Sequence, residues 1–448
     1  MISKAARRKP LYRTLHHVDE FDMTLTSLDP QALAEAETQA EARYRDLCGR
    51  NLVLDMTRGK PAPDQLDLSD GILTAVAPGE CIGEKDEDYR NYGLGTGIPE
   101  AKRLFADFLE VAPDEIVIGG NSSLNLMYDT VAGAVLFGMP ESDRPWSKET
   151  RPKFICPVPG YDRHFLVCEK LGFEMLTVDM NDDGPDMDAV EALVTNDPSV
   201  KAIWCVPKYS NPTGAIYSDA VVDRLAAMRT AAPDFRIFWD NAYAEHHLGN
   251  GPARVKNILE TCKAAENPDR PLLFGSTSKV TYAGAGVAVM GGSKANMADA
   301  AGKMSTTNIG HDKINELRHV RFFGDLDGLR FHMSKHAELI GPKFSAVDVA
   351  LERHLGGKDI ATWTKPDGGY FVSVDVLDGC ATEIVRLAGE AGVKLTPAGA
   401  TFHMSEDPRD RNIRLAPTFP SLEEVKLSME VFCACVELVC LRKLTEAT

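Results

Sequence analysis

The chain has 448 residues, of which 44% are hydrophobic and 26% are charged, as in an ordinary globular protein of more than one domain. Its 66 acidic and 49 basic residues give a net charge of −17, whereas nucleic-acid-binding domains are basic, so this balance argues against a nucleic-acid partner. No run of about 18 apolar residues occurs, so we expect no membrane span.

The start of the chain and its cysteines predict a cytoplasmic protein. Residues 1–9 are basic, like the start of a signal peptide, but residues 10–17 lack the apolar stretch that should follow. The 10 cysteines are scattered and form no Cys-x-x-Cys pair, which indicates free thiols in a reducing compartment. Adjacent histidines, His246 and His247, point apart in a helix or strand, so we expect no metal site.

Short apolar runs recur along the middle of the chain and predict β-strands. Most are roughly 20–35 residues apart, which leaves room for a crossover helix between parallel strands. The last two are too close for a helix and predict an antiparallel pair. The runs are Ile116–Ile118, Phe154–Cys156, Met175–Val178, Ala202–Val206, Ile237–Trp239, Leu272–Phe274 and Val287–Met290.

Helices and loops are predicted around these strands. Residues 1–28 are irregular, Asp29-Pro30 then marks the start of a helix towards Leu47, and the stretches 57–70 and 83–99 are loops rich in glycine and proline. Beyond about residue 310 we predict, in order, helices over 313–336 and 337–355, a strand over 369–375, a short strand over 413–415 and a helix from 421 to about 444.

This order of elements predicts an α/β fold, in which a mostly parallel sheet is covered by helices and a smaller α+β domain follows. We predict an N-terminal segment, residues 1–75, that contributes to the small domain. A large domain then spans residues 76–325, and the small C-terminal domain spans residues 326–448.

Chemically active side chains follow the ends of the predicted strands, where an open α/β sheet binds its ligand. After Ile118, a glycine turn leads to Ser122 and Ser123 at the start of a helix, where amides and hydroxyls can bind a phosphate. The other strand ends carry an aromatic ring, an amide, a carboxylate with a phenol, and an amine; these are Tyr161, Asn211, Asp240 with Tyr243, and Lys279.

Lys279 closes the tetrapeptide Ser276-Thr277-Ser278-Lys279. A lysine can hold an aldehyde cofactor as a Schiff base, and nearby hydroxyls can bind its phosphate. Serine acyl-transfer enzymes share Ser-x-x-Lys, but their Ser-Asp-Asn and Lys-Thr-Gly partners are missing here. A solvated lysine is the simplest alternative. The set of strand-end groups favours a phosphorylated pyridine aldehyde, whose ring N–H⁺ would pair with the carboxylate of Asp240.

Six strings along the chain resemble the pyridoxal-phosphate-dependent class I/II aminotransferases. They are NYGLGTGIPE, PVPGYDRHF, YSNPTG, WDNAY, STSK and NIRLAPTF, and their order matches from about residue 50 to the C-terminus. The strings TRGKP, GNSSLN and STSKVTYAGAG are similar to a bacterial aspartate aminotransferase branch, whose catalytic half is close to that of MocR-type regulators. The resemblance implies a fold type I aminotransferase with pyridoxal 5′-phosphate as its cofactor.

The resemblance also implies roles for the strand-end residues. Lys279 matches the Schiff-base lysine and proton shuttle, and Asp240 matches the partner of the ring nitrogen. Tyr243 and Asn211 match ligands of the ring oxygen, and Tyr161 stands at the position that stacks on the ring.

Further positions match the ligands of the phosphate and the substrate. Phosphate ligands are expected at Ser122, Ser123, Ser276 and Ser278. Tyr92 matches a tyrosine that reaches the phosphate of the neighbouring subunit, which implies a homodimer with shared active sites and with contacts from the N-terminal segment.

Arg414 matches the arginine that binds the substrate α-carboxylate, and Gly59 lies in the loop over the substrate, where Asn211 also contributes. One position departs from the family. Eight residues after Lys279, where an arginine often holds the phosphate, this chain has Val287, so we expect other groups to neutralise the phosphate.

These features predict a transaminase that moves an amino group between L-aspartate and 2-oxoglutarate through a Lys279 aldimine. A second carboxylate needs a second cation, for which Lys60 and Arg58 are candidates. Two alternatives stay open. One is another pyridoxal-phosphate enzyme, such as a β-lyase, decarboxylase or racemase. The other is a non-catalytic MocR-like ligand-binding protein, although about 50 residues before the core are too few for its winged-helix domain.

Overall fold

The structure is a computed structural model, and it describes residues 24–249 and 251–447. What the sequence predicts for residues 1–23 lies outside this part of the chain. Among the described residues, no helix is both long and apolar enough to cross a membrane.

In the described part of the chain the strands form three sheets. In chain order the strands are β1 Leu54–Asp55, β2 Ile116–Ile118, β3 Lys153–Val158, β4 Glu174–Asn181, β5 Gly184–Pro185, β6 Val200–Cys205, β7 Arg236–Asp240, β8 Pro271–Ser276, β9 Ala288–Gly292, β10 Ala361–Trp363, β11 Val372–Val376, β12 Val393–Lys394 and β13 Asn412–Leu415.

Helices flank these sheets. In chain order they are α1 Pro30–Cys48, α2 Pro63–Asp67, α3 Pro99–Leu109, α4 Ser123–Phe137, α5 Asp162–Leu171, α6 Met187–Asn196, α7 Asp219–Ala227, α8 Ile258–Ala264, α9 Lys294–Met304, α10 Lys313–Phe323, α11 Leu326–Leu355, α12 Ala381–Glu390 and α13 Leu422–Glu446. Short 3₁₀ helices lie at Leu25–Ser27, Asp70–Thr74, Trp146–Lys148 and His403–Ser405.

The large sheet has the strand order β2-β9-β8-β7-β6-β3-β4-β5. Its central pairs, from β4 across to β8, are parallel. Strand β9 pairs antiparallel with both β8 and β2, which confirms the prediction for the last two apolar runs. The mostly parallel sheet and its helices therefore confirm the predicted fold class.

Alternation along the strands divides the large core into two layers. In β3, Ile155 faces one hydrophobic cluster with Ile237 of β7, whereas Phe154 faces the other with Phe238. Helices α3, α7, α8 and α10 cover the first face, and α4 and α5 cover the second. Successive strand side chains point to opposite faces, so a sheet buried on both sides needs continuous apolar runs.

A third hydrophobic cluster joins the two ends of the chain. It combines residues of α1 near the N-terminus with α12, α13 and the sheet of β10, β11 and β13. Helix α11 connects this cluster to the large core, because Leu329 and Met333 pack in the large core and Val347 and Leu351 pack in the third cluster. The predicted division at residues 75 and 325 stays a prediction.

Three predicted boundaries are wrong. The first helix after residue 310 ends at Phe323, and α11 then runs unbroken to Leu355, so the predicted break at 336 is misplaced. Gly324 has φ +75°, and the side chain of Asp325 accepts a hydrogen bond from the amide of Gly328, which together end one helix and start the next. The predicted loop 57–70 contains α2, and the strand predicted over 369–375 begins at Val372.

We predict that Ser421→Ala destabilises the protein by about 1 kcal/mol, because it removes the N-cap of α13. The Ser421 hydroxyl accepts from the amide of Glu424, whose carboxylate accepts in return from the amide of Ser421. Urea unfolding measures the effect. Ser334→Ala is the control, since Ser334 is exposed within α11 and caps nothing. Equal unfolding midpoints for the two variants would contradict the assignment.

Candidate active site

The parallel pairing of β7 and β8 brings Asp240 and Lys279 to the same edge of the sheet. Asp240 is the last residue of β7 and is paired in register with Phe274 of β8, and the amide of Asn241 donates to the Phe274 carbonyl at 2.8 Å. Beyond β8 the chain turns, with the amides of Val280 and Thr281 both donating to the carbonyl of Thr277. Lys279 lies in this turn.

Asp240 is a buried carboxylate with one bonded and one unbonded oxygen. The side chain is 2% exposed, and its Oδ2 lies 3.1 Å from Nε2 of His164. Its Oδ1 has no hydrogen-bond partner among the described residues. Burying an acceptor without a partner is costly, so this oxygen is poised for a donor from a ligand.

His164 is a site residue that the sequence interpretation missed. Its imidazole stacks on the indole of Trp204, with the ring centroids 4.2 Å apart and the planes 9° apart, and its edge faces Tyr161 at 4.9 Å. It follows Tyr161 by three residues, in the first turn of α5, and a helix brings such residues to one face. That spacing is the signal that could have identified it.

The amine of Lys279 lies next to the ring of Tyr243, with Nζ 5.1 Å from the ring centroid. Burial lowers the pKa of Lys279 from its usual 10.5, and the negative charge of Asp240 partly opposes this shift. Burial also raises the pKa of Tyr243 well above 10, so the phenol keeps its proton at neutral pH. The site therefore combines an amine whose pKa is lowered with a phenol that keeps its proton and can donate a hydrogen bond.

The four predicted phosphate serines meet at one place. The hydroxyl of Ser276 donates to Ser278 Oγ at 3.1 Å, and Ser278 donates to the carbonyl of Asn121 at 3.0 Å. The next residue, Ser122, is the N-cap of α4, makes no capping bond with its side chain, and precedes Ser123 at the first helical position. Free hydroxyls and first-turn amides of a helix make a suitable anion site.

Val287 points away from this group of serines. Its side chain is 1% exposed in the large core, and its amide donates to Oγ1 of Thr277 at 2.9 Å. An arginine here would have to bury its charge among apolar side chains. On the other side, Nδ1 of His311 lies 3.9 Å from where a Cβ on Gly120 would stand. Burial lowers the pKa of His311, so it adds a neutral imidazole rather than a cation.

Arg414 lies on β13, opposite Ser373 of β11, and its guanidinium reaches the start of α5 and the loop after β6. Nη1 donates to Asp162 Oδ1 at 3.0 Å and to Asn211 Oδ1 at 3.2 Å. Nε is buried without a partner among the described residues. The structure thus brings Arg414 and Asn211 together, and it adds Asp162, which the sequence interpretation did not single out.

Gly59 and Phe371 form one wall beside Arg414. The guanidinium carbon of Arg414 is 4.8 Å from the centroid of the Phe371 ring. A Cβ on Gly59 would come within 2.2 Å of that ring, so only glycine fits against it without movement. The structure therefore gives a steric reason for glycine at position 59, which is the close approach of its backbone to the Phe371 ring.

Three predicted residues lie apart from this assembly. Tyr92 is 82% exposed, in a loop that hydrogen-bonds to Ile309 through Gly93. Lys60 is exposed, with Nζ 4.1 Å from the centroid of the Phe419 ring, and Arg58 is exposed, with Nε 3.8 Å from Asp55. All three side chains are exposed.

The sequence profile described as Aspartate amino-transferase matches residues 28–448. The chain belongs to this family. It is therefore a transaminase, and pyridoxal 5′-phosphate is the cofactor that the family uses. A relative described as aspartate aminotransferase from Corynebacterium glutamicum is 45% identical over 416 residues, which cover 93% of this chain and 96% of the relative.

Solved structures agree with this family. A crystal structure of an aspartate transaminase from Corynebacterium glutamicum has a TM-score of 0.93 and 44% identity, and covers 95% of this chain and 100% of that one. A second, the α-aminoadipate aminotransferase of Thermus thermophilus with N-(5′-phosphopyridoxyl)-L-leucine, has a TM-score of 0.70 and 21% identity, and covers 92% and 98%. The second likeness shows the fold alone.

The arrangement fits the cofactor. Asp240 Oδ1 is an unsatisfied buried acceptor suited to a protonated ring nitrogen, and the serine hydroxyls beside the start of α4 suit a phosphate. Among the described residues, no group of three or more His, Cys, Asp and Glu side chains could hold a metal ion.

We predict that acid destabilises the protein through its buried histidines. Burial lowers the pKa of His319 and of His336 to about 4, whereas an unfolded histidine titrates near 6.5. Between these values the unfolded chain binds protons that the native protein excludes, so stability falls as pH drops from about 6.5 towards 4. Each histidine should contribute a loss of about 1 to 2 kcal/mol by about pH 5.

Urea unfolding of the native protein and of His336→Gln, at about pH 7.5 and 5, measures this difference. The variant should lose less stability on acidification than the native protein, by about 1 to 2 kcal/mol. The same acid-induced loss in both proteins would contradict the assignment.

Proposed function

We propose that this transaminase moves an amino group between L-aspartate and 2-oxoglutarate, with Lys279 as the amine that holds the cofactor and carries the proton. The observation that carries the proposal is that Lys279 and the buried carboxylate of Asp240, whose Oδ1 has no partner among the described residues, lie at one edge of the sheet, where the charge of Asp240 acts on the pKa of Lys279. The donor is inferred from the relative named aspartate aminotransferase, which is 45% identical.

When bound, pyridoxal 5′-phosphate supplies an aldehyde that condenses with amines and a ring that withdraws electrons from the substrate Cα. The residues of this chain orient that ring. Asp240 Oδ1 would accept from its protonated nitrogen, Tyr243 and Asn211 would donate to its oxygen, and Tyr161 would lie against the ring. Ser122, Ser123, Ser276 and Ser278 bind the phosphate.

Lys279 acts as the base. Its amine must be neutral to accept the proton from the substrate Cα, and burial favours the neutral form by lowering its pKa. The opposing charge of Asp240 limits this shift until Asp240 is paired with the ring. Nζ of Lys279 would then hold the proton taken from the substrate Cα. The same amine would return that proton to the aldehyde carbon of the cofactor.

Substrate binding requires an exchange of anions at Arg414. The α-carboxylate of an amino acid would take two N–H donors of the guanidinium, and Nε has no partner to give up. Nη1, however, is held by Asp162, so the substrate must displace or share this carboxylate. For the second carboxylate of aspartate, Lys60 is our candidate, since it lies next to Gly59 and its exposed amine has only to leave the Phe419 ring to reach a ligand.

We further propose that two chains form a homodimer in which Tyr92 reaches the phosphate site of the partner chain. The exposed position of Tyr92 supports this proposal, because a tyrosine with 82% of its surface accessible has room to contact a neighbouring subunit. Location in the cytoplasm stays a prediction.

We predict that L-aspartate, among a panel of amino acids, converts the bound cofactor to its aminated form at the lowest concentration. Visible absorbance of the purified protein reports this half-reaction, and 2-oxoglutarate should restore the starting spectrum. If saturating aspartate leaves the spectrum unchanged while an aromatic or branched amino acid alters it, the assignment of the donor is wrong.

The same titration separates the alternatives. A β-lyase or decarboxylase would turn over without an oxo acid, whereas a transaminase depends on one. A MocR-like protein would bind a promoter fragment sequence-specifically in a gel-shift experiment, and we expect no such shift.

We predict that Lys279→Ala loses both the visible absorbance of the cofactor and all measurable turnover, because no other amine replaces Nζ. Lys60→Ala is the comparison variant, because it also removes one lysine amine, here from the residue next to Gly59. It should keep the absorbance and raise the KM for aspartate about tenfold, as expected for one charge-assisted contact. Transamination by Lys279→Ala would overturn the proposed mechanism.

A further inference from the structure

The turn that carries Lys279 exposes two backbone carbonyls to the protein interior. The carbonyl of Thr277 accepts the two amides that close the turn, and the chain does not continue as a helix. The carbonyls of Lys279 and Val280 therefore lack the partners that a helix would give them. Buried carbonyls need donors, so the surrounding side chains must supply them.

Side chains from separate parts of the sequence supply those donors. His246 Nε2 lies 3.2 Å and the Tyr370 hydroxyl 3.3 Å from the carbonyl oxygen of Lys279. His332 Nε2 lies 2.8 Å from the carbonyl oxygen of Val280. His246 lies after β7, His332 on α11, and Tyr370 just before β11. All three side chains are at most 5% exposed.

Gln65 of α2 links these donors. Its Oε1 accepts from the amide of Ala62 at 3.0 Å, so its amide nitrogen faces the other way. That nitrogen lies 3.1 Å from Nδ1 of His336 and 3.3 Å from the hydroxyl oxygen of Tyr370. The Tyr370 oxygen thus accepts from Gln65, which leaves its own proton to donate to Lys279.

The same reasoning fixes the protons of the two histidines on α11. Nδ1 of His336 faces a donor and must accept, so its proton is on Nε2. That Nε2 lies 3.1 Å from Nε2 of His332, and both rings face the carbonyl of Val280. Because a carbonyl oxygen only accepts, His332 also carries its proton on Nε2. With protons on both Nε2 atoms the two rings do not hydrogen-bond to each other, and both N–H groups face the Val280 carbonyl.

We propose that Tyr370, oriented by Gln65, is a positioning residue for Lys279. With His246 it holds the peptide that follows the lysine, so Nζ moves only through rotations of its own side chain. This inference rests on the proposed role of Lys279 and adds how its side chain is positioned. Gln65, α11 and Tyr370 lie near the contact between the large core and the third cluster. The position of the Lys279 side chain therefore depends on how the large core and the third cluster pack against each other.

Tyr370→Phe tests the proposal, because it removes one hydroxyl and keeps the ring. We expect kcat to fall about five- to tenfold, while the KM for aspartate changes less than about twofold and the cofactor absorbance is retained. Hydrogen–deuterium exchange of the holoenzyme should show severalfold faster exchange in the peptide containing Val280 and Thr281, whose amides close the turn. This second readout does not depend on activity.

Tyr44→Phe is the matched control. The Tyr44 hydroxyl also donates to a buried backbone carbonyl, that of Leu387 at 3.1 Å, but in the third cluster. It should lower stability to a similar degree and leave kcat and the exchange of the lysine turn unchanged. Gln65→Glu is a second test variant. It replaces the donor with an acceptor of the same shape, and we expect both effects of Tyr370→Phe in the same direction.

The outcomes are distinct. If Tyr370→Phe matches Tyr44→Phe in kcat and in exchange of the turn, the positioning role is wrong, whatever the function. If Tyr370→Phe loses the cofactor absorbance altogether, the residue binds the cofactor and the inference is also wrong. Failure of the proposed function would show instead in a different variant, as activity retained by Lys279→Ala. The results for Tyr370→Phe do not enter that test.

Discussion

The buried carboxylate of Asp240 is the interaction on which the rest of the site depends. A charge in the protein interior is stable only when it is paired and hydrogen-bonded, and Asp240 has one such bond, to His164. Stacking on Trp204 holds His164 in place, and the register of β7 against β8 sets Asp240 close enough to influence Lys279. The second oxygen has no partner among the described residues.

The fold explains why this pairing can be built. Parallel strands end at one edge, so side chains distant in sequence meet there, and apolar side chains of the central strands fill both faces of the sheet. Arg414 comes from the other cluster, on β13, and reaches across to Asp162 and Asn211. The candidate site residues therefore come from two packed parts, which α11 joins.

Strands, strand-end side chains and the turn residues were predictable because each leaves a local pattern in the sequence. His164, Asp162 and Phe371 were not predicted. Asp162 and Phe371 matter through contacts across the fold, and the three-residue spacing of His164 from Tyr161 gains its meaning from the contact of His164 with Asp240. The helix break at Gly324 depends on the positive φ of one residue. In the sequence, a single glycine is a weaker signal than the long helical pattern around it. Val287 was recognised as a departure, but only the structure shows that its side chain lies in the core.

The protonation of the cofactor's ring nitrogen is the most direct test of the account, because it reports on Asp240 alone. ¹⁵N NMR of the holoenzyme, loaded with ring-labelled pyridoxal 5′-phosphate, measures it in the native protein and in Asp240→Ala. The account predicts a protonated nitrogen in the native protein from about pH 6 to 9, and a neutral one in the variant at the upper end of that range. A neutral ring nitrogen in the native protein at about pH 7 would contradict it.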